Sequence, residues 1–362
     1  MDKRHIALRD IFFDVFQRHG LKKYDSVPLI TKDKTVYFTC ATITPLKDFI
    51  LNENIAVDGL YIHQPCLRLN SLTDNFDEKN VPSFPGYFNM LGTLIQAKYI
   101  LPFQKSIIEC FQLLGVSKDT IKIYAPSSKV DLVSYLSKVY TVEFDSKKDS
   151  YYDWKYGLGN DINGIGATFS LRQKDGHFED IGQYVCIFNK NEPIACEFGF
   201  GIETFLSRHL QYGNYYEAYS IAPVLKENNL ESNFINVNTF GIVAGAYSTG
   251  INLDNCPNKG YKKILNRILA NIVILKKKES ILDEQMASIL YKFGEIEFNN
   301  TSFVPSLLYD INKKSEELLL SLQRLADFEE NQLRLNICTQ NIIDREKVLY
   351  PFAIKYRDII GE

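Results

Sequence analysis

In this 362-residue chain strand-like hydrophobic runs stop near residue 200 and helical spacing takes over beyond about 215, which limits the folds open to it. Up to about residue 200 strand-like apolar runs are interleaved with helical ones, and from 151 to 200 the spacing is close to two with glycines between the runs. LYIHQPCLRL, GYFNMLGTLI, IKIYA, ATFSLR, QYVCIFN and PIACEFG are such runs, and YDSVPLI and TVYFTC read as further strands. The first two flank a polar loop from Asn70 to Pro85 and form a long-looped antiparallel hairpin. Helical spacing marks residues 4–19, where Leu8, Ile11, Phe12, Val15 and Phe16 share one face and Gly20 stops the run. Helices are also expected through PLKDFIL, near 102–114 and near 127–138. Beyond about residue 215 almost everything is helical in period, including a leucine- and charge-rich stretch from Lys314 to about Arg345. The expected fold is therefore α+β: an antiparallel sheet flanked by helices over residues 1–230, then an all-α domain over 231–362.

A hydrophobic share of 45% and an aromatic share of 13% suit a folded chain. Net charge is -3, so a polyanion partner would need a local basic patch. The seven cysteines form no CxxC and the five histidines no HxxxH or HExxH, which points to a reduced, cytoplasmic chain without structural zinc. The N-terminus MDKRHIALRD is charged and runs into an amphipathic pattern, unlike a signal peptide, and no apolar run is long enough to span a bilayer.

One stretch carries a chemical question. In CEFGFGIETFLSRHL a strand meets Gly199 and Gly201 at the mouth of a helix, where bare backbone can approach a phosphate. A phosphate site needs positive charge, and the arginine nearest on that helix is Arg208, one turn beyond Thr204.

A sheet with an arginine on a long-looped hairpin, followed by strand-GxG-helix, resembles a class II aminoacyl-tRNA synthetase core. The local strings are similar to alanyl-tRNA synthetases. LRDIFFDVFQRHGLKKYDSVPLITKDKTVYFTCATITPLKDF resembles that family's opening helix, G-H-x-x-x-x-S-x-x-L-V-P, D-x-T-L-L-F-T-x-A-G-M and x-F-K-D. HQPCLRLNSLTDNFDEKN is similar to the motif 2 strand Q-x-C-x-R-x-G-G-x-x-x-D-L, YFNMLG to F-F-E-M-L-G and DWKYG to N-F-W-x-M-G. EFGFGIET resembles D-T-G-M-G-L-E-R, NKGYKKILNRI resembles N-R-G-Y-V-L-R-R-I, and LADFEENQLRLNI resembles a tRNA-binding helix. The strings keep their order along nearly the whole chain.

The resemblance implies attack of an amino-acid carboxylate on the α-phosphorus of ATP, with Mg2+, then acyl transfer to tRNA or another acceptor such as a carrier protein. It implies Arg68 as the catalytic arginine on the α-phosphate and substrate carboxylate, with Phe88 stacking on adenine. Gly199, Gly201 and Arg208 complete the implied ATP set. Trp154 falls on the amino-acid pocket, and Glu197 stands where the family has the aspartate that binds the substrate ammonium. Asn258, Lys259, Lys262, Lys263 and Arg267 fall on the tRNA-acceptor region. No metal-ligating residues are implied within this stretch, and without HxxxH hydrolytic proofreading is not expected.

The departures gather on the ATP side. The family's motif 3 arginine is Thr204, its F-F-E glutamate is Asn89, a lysine is Leu101, and a histidine is replaced by Phe84-Pro85. Three readings stay open: an adenylate-forming ligase for a small amino acid, a degenerate synthetase paralogue serving as a binding or regulatory subunit, and an acyltransferase using charged tRNA.

Overall fold

The computed structural model describes residues 2–31, 36–69, 84–159, 161–334 and 350–360. It divides into two compact units, the first comprising residues up to Arg68 together with Gly86–Tyr219, the second containing Ser220–Glu362.

The first unit is an antiparallel sheet with short parallel additions at its two edges. In chain order its strands are β1 (Lys22–Lys23), β2 (Leu60–Leu67), β3 (Tyr87–Gln96), β4 (Ile121–Ala125), β5 (Thr141–Phe144), β6 (Asp153–Trp154), β7 (Ile162–Arg172), β8 (Phe178–Asn189) and β9 (Glu192–Gly201). Their spatial order is β1-β2-β3-β9-β8-β7-β4-β5, with β6 paired to β7. The β2–β3 hairpin is present, in register from Leu60↔Leu94 to Leu67↔Tyr87. Its connecting loop, residues 70–83, lies outside the described residues.

One face of the sheet is closed by α1 (Lys3–Arg18), α3 (Ile100–Leu113) and α4 (Ile202–His209). Because strand side chains alternate, Phe198 and Phe200 of β9 and Phe169 of β7 point into this layer. They meet Phe12, Phe16 and Phe111 of the helices: the Phe12–Phe16 centroids are 4.5 Å apart, Phe111–Phe169 5.1 Å and Phe111–Phe198 5.6 Å. All six rings are at most 1% exposed, and full burial of each contributes roughly 2–3 kcal/mol. A smaller apolar cluster, including Ile43, Leu46, Ile62, Val185 and Tyr156, occupies the other face.

Three expected elements differ. YDSVPLI and TVYFTC are not strands; only an isolated bridge, Ile30↔Phe38, joins them, and Thr35 lies outside the described residues. The fully buried Gln64 side chain accepts from Val27 N at 2.9 Å and donates to Val27 O at 2.9 Å, so a side chain replaces a strand partner. Residues 127–138 form two 3-10 segments, Ser127–Val133 and Leu136–Lys138, rather than an α-helix. Here Gln104 donates to Leu132 O at 2.7 Å and accepts from Tyr135 N and Leu136 N, holding the backbone in turns. The expected helix near PLKDFIL is the short α2 (Lys47–Leu51) preceded by a 3-10 turn.

The described part of the second unit is helical: α5 (Ala222–Glu227), α6 (Phe234–Tyr247), α7 (Lys259–Lys278), α8 (Asp283–Phe293), α9 (Val304–Arg334) and a helix over Pro351–Ile360. Every residue of α6 is buried, and it packs on α7 and α9. The buried Asp310 of α9 accepts at Oδ2 from both Tyr247 Oη at 2.6 Å and Leu253 N at 3.2 Å, tying α9 to the end of α6 and the segment after it. The expected continuation of α9 over 335–345 lies outside the described residues.

Candidate active site

The sheet face away from α1, α3 and α4 holds a cavity of about 350 Å³ within the first unit. Its floor is made by alternate residues of the central strands: Glu197 and Gly199 of β9, Gln183 and Val185 of β8, and Met90 of β3. Residues 154–157 wall one side, and the segment from Val36 to Lys47 walls another. Arg68 enters just beyond the end of β2.

Glycines let these walls come down onto the sheet. Gly92 and Gly199 are cross-strand partners beneath Thr42; a Cβ on Gly92 would lie 2.3 Å from Thr42 Oγ1, and one on Gly199 2.9 Å from Leu91 O. Along β7, a Cβ on Gly166 would lie 2.4 Å from Trp154 Nε1, and one on Gly164 2.9 Å from Tyr156 Cε2. The two glycines of NGIG therefore seat two aromatic rings.

Arg68 is held by its own surroundings. Its Nε donates to Cys40 O at 2.8 Å, Nη2 lies 3.8 Å from Met90 Sδ, and the guanidinium sits 4.9 Å above the Phe88 ring. Lys47, the first residue of α2, lines the same cavity and adds a second cation. Glu197 stands on the floor, half-buried. Its Oε1 accepts a hydrogen bond from the Tyr156 hydroxyl, and among the described residues it has no ion-pair partner. Burial pushes the Glu197 carboxyl up to about 7, against the opposing pull of the tyrosine donor. Burial and the adjacent carboxylate together push the Tyr156 phenol well above its usual value, so it stays a donor.

The residues singled out in the sequence do not all converge. Arg68, Trp154, Glu197 and Gly199 line the cavity. Phe88 lies beside it, 6% exposed, with Arg68 over its ring. Gly201 is the N-cap of α4 and lies outside the lining. Arg208 also lies outside it: Nε donates to Glu179 Oε2 at 3.0 Å, and the guanidinium is 5.9 Å from the Tyr215 ring. Thr204 Oγ1 is 2.9 Å from Tyr215 Oη. Asn89 faces the helical side, where its N and Nδ2 donate to the buried Glu203 carboxylate at 3.0 Å. His63 Nε2 lies 3.1 Å from Asn89 Oδ1, and His5 Nδ1 4.0 Å from Glu203 Oε1.

In the second unit Asn258 is the N-cap of α7, accepting from Gly260 N at 2.8 Å and Tyr261 N at 3.2 Å. Lys259, Lys262 and Lys263 are exposed and Arg267 is half-buried. Spacings of three and four put them along one side of the helix, and among the described residues none has an ion-pair partner. Cations at a helix N-terminus oppose the macrodipole, so this placement is not one that helix stability selects.

Sequence reading missed Lys47, Tyr156 and Gln183. Lys47 and Tyr156 sit inside the strings PLKDF and DWKYG, but nothing local in either string shows that its side chain reaches a shared cavity.

No family model matches the chain, and no curated protein matches it. Solved structures similar to it include three aminoacyl-tRNA synthetases. Apo histidyl-tRNA synthetase of S. aureus aligns at 9% identity over 62% of this chain and 79% of that one, with a TM-score of 0.38. Asparaginyl-tRNA synthetase of Pyrococcus horikoshii aligns at 9% identity over 60% and 66%, with a TM-score of 0.34. The pyrrolysyl-tRNA synthetase PylSc of Desulfitobacterium hafniense aligns at 12% identity over 60% and 73%, with a TM-score of 0.37.

Proposed function

We propose that the first unit is a class II synthetase-type domain that activates a small amino acid as its adenylate and hands the acyl group to tRNA or another acceptor. One observation carries the reading: Glu197, a half-buried carboxylate whose partner among the described residues is a phenol, shares a cavity with Arg68 and Lys47. An unpaired acid in such a place is costly unless a ligand brings a cation to it. A zwitterionic amino acid does so, its ammonium on Glu197 and its carboxylate toward Arg68. In the reaction a carboxylate oxygen bonds to the α-phosphorus of ATP, the bond to the bridging oxygen breaks, and pyrophosphate leaves. The chain contributes position and positive charge, from Arg68 and Lys47. Among the described residues no group of three His, Cys, Asp or Glu side chains is placed to hold a metal ion, so Mg2+ enters this reading only as part of the nucleotide substrate. The cationic side of α7 is proposed to take the acceptor's phosphates.

ATP–pyrophosphate exchange measured with each amino acid tests this; exchange with none of them defeats adenylate formation. A second reading, a binding or regulatory subunit, is favoured by Thr204 resting on Tyr215 and Arg208 pairing with Glu179. It expects amino-acid or nucleotide stabilisation in a thermal-shift screen without exchange.

A further inference from the structure

Tyr156 is set where only a specific pairing explains its hydroxyl. Its ring is 8% exposed, packs in the apolar cluster with Val185 and Ile187, and lies where Gly164 leaves room for it. Phenylalanine would satisfy all of that packing. The hydroxyl instead reaches across 41 residues of sequence to Oε1 of Glu197. The other charged or titratable groups on the cavity wall are Arg68 after β2, Lys47 of α2, Lys155, and Cys40 from the segment before α2. None is an ion-pair partner of Glu197, and Cys186 and Cys196 of the adjacent strands point to the opposite layer.

We propose that Tyr156 is a positioning residue that fixes the Glu197 carboxylate as the cavity's ammonium anchor, leaving Oε2 for the N–H of a small primary amine. The ligand class rests on the amino-acid reading above; the positioning role does not. A neutral donor that stays protonated keeps the acid oriented without cancelling its charge, which a lysine or arginine there would do. Trp154, seated on Gly166 beside it, closes the same end, so the amine must be carried by a compact substrate.

The test uses the full chain and the variant Tyr156→Phe, which keeps the ring. The Glu197 carboxyl is titrated by carbon-13 NMR without ligand. Loss of the donor is expected to raise its midpoint by about one pH unit. L-alanine binding is then expected to weaken about fivefold at pH 7 and to return close to wild type at pH 9, because the charged fraction is restored there. Propionate, the same skeleton without the amine, should bind the two proteins alike. A tyrosine that only packs would alter affinity equally at both pH values. Should the variant fail to fold, the Tyr156 ring-carbon signal of the wild type serves instead, and it is expected to follow the Glu197 titration. An unmoved midpoint in the variant, or a flat ring signal in the wild type, overturns the proposal. A shifted midpoint with no L-alanine binding supports the positioning role and counts against the amino-acid reading alone.

Discussion

The two faces of the central sheet are built from the same strands and have opposite characters. On β9, Cys196, Phe198 and Phe200 enter a layer of interlocked rings, while Glu197 and Gly199 open onto the cavity. The first face is closed by helices and holds the unit together. The second is thinned by glycine and carries an acid without an ionic partner among the described residues. Single residues along one strand thus alternate between core packing and cavity lining, and substitutions should separate the two.

The largest expected effect is on the closed face. Phe198→Ala should cost about 3–5 kcal/mol in urea unfolding, because the rings around it cannot all collapse into the space. An effect below 1 kcal/mol would show that the layer is loosely packed.

On the open face Glu197 should act against stability. Its folded-state carboxyl lies at about 7, above the ordinary value of 4.5, so the folded chain holds a proton that the unfolded chain releases. Stability should therefore fall as pH rises from about 4.5 to 7, by on the order of 2 kcal/mol, and level off above. Glu197→Gln should flatten that window, as read from denaturant midpoints across pH; an unchanged profile would mean that the acid is solvated. Gly92→Ala tests the floor. Its new methyl would press on Thr42, and a loss of about 1–2 kcal/mol with displacement of the Val36–Lys47 wall should appear in unfolding and in hydrogen exchange.

The smallest expected stability effect lies in the second unit. Lys259→Glu with Lys263→Glu should raise helix stability by about 0.3–1 kcal/mol through the α7 dipole. The same pair should weaken low-salt RNA binding and reduce its salt slope by about two. A gel-shift in which RNA binding is indifferent to the exchange would remove α7 from the acceptor path.

Much of the fold is legible in the sequence because it is periodic. The alternation through ATFSLR, QYVCIFN and PIACEFG becomes β7–β9, and LYIHQPCLRL and GYFNMLGTLI become the β2–β3 hairpin. The failures at YDSVPLI and at 127–138 share a cause: in each, one glutamine far away in sequence, Gln64 or Gln104, takes the backbone bonds that regular structure would otherwise make. Period says nothing about such a side chain. The site was partly legible. Arg68, Trp154, Glu197 and Gly199 meet in one cavity, whereas Arg208 is paired with Glu179, a residue in no recognisable string. Tyr156 was invisible for the same reason, since its role depends on a residue 41 positions away.

The two small residues of β7 give the cavity an adjustable depth. Gly164 and Gly166 are not part of its wall, yet they decide how low Trp154 and Tyr156 can settle. A methyl group at either position would lift an aromatic ring off the sheet and reshape the chamber from beneath. The size of the chamber is thus governed partly by a strand segment that is not part of its wall.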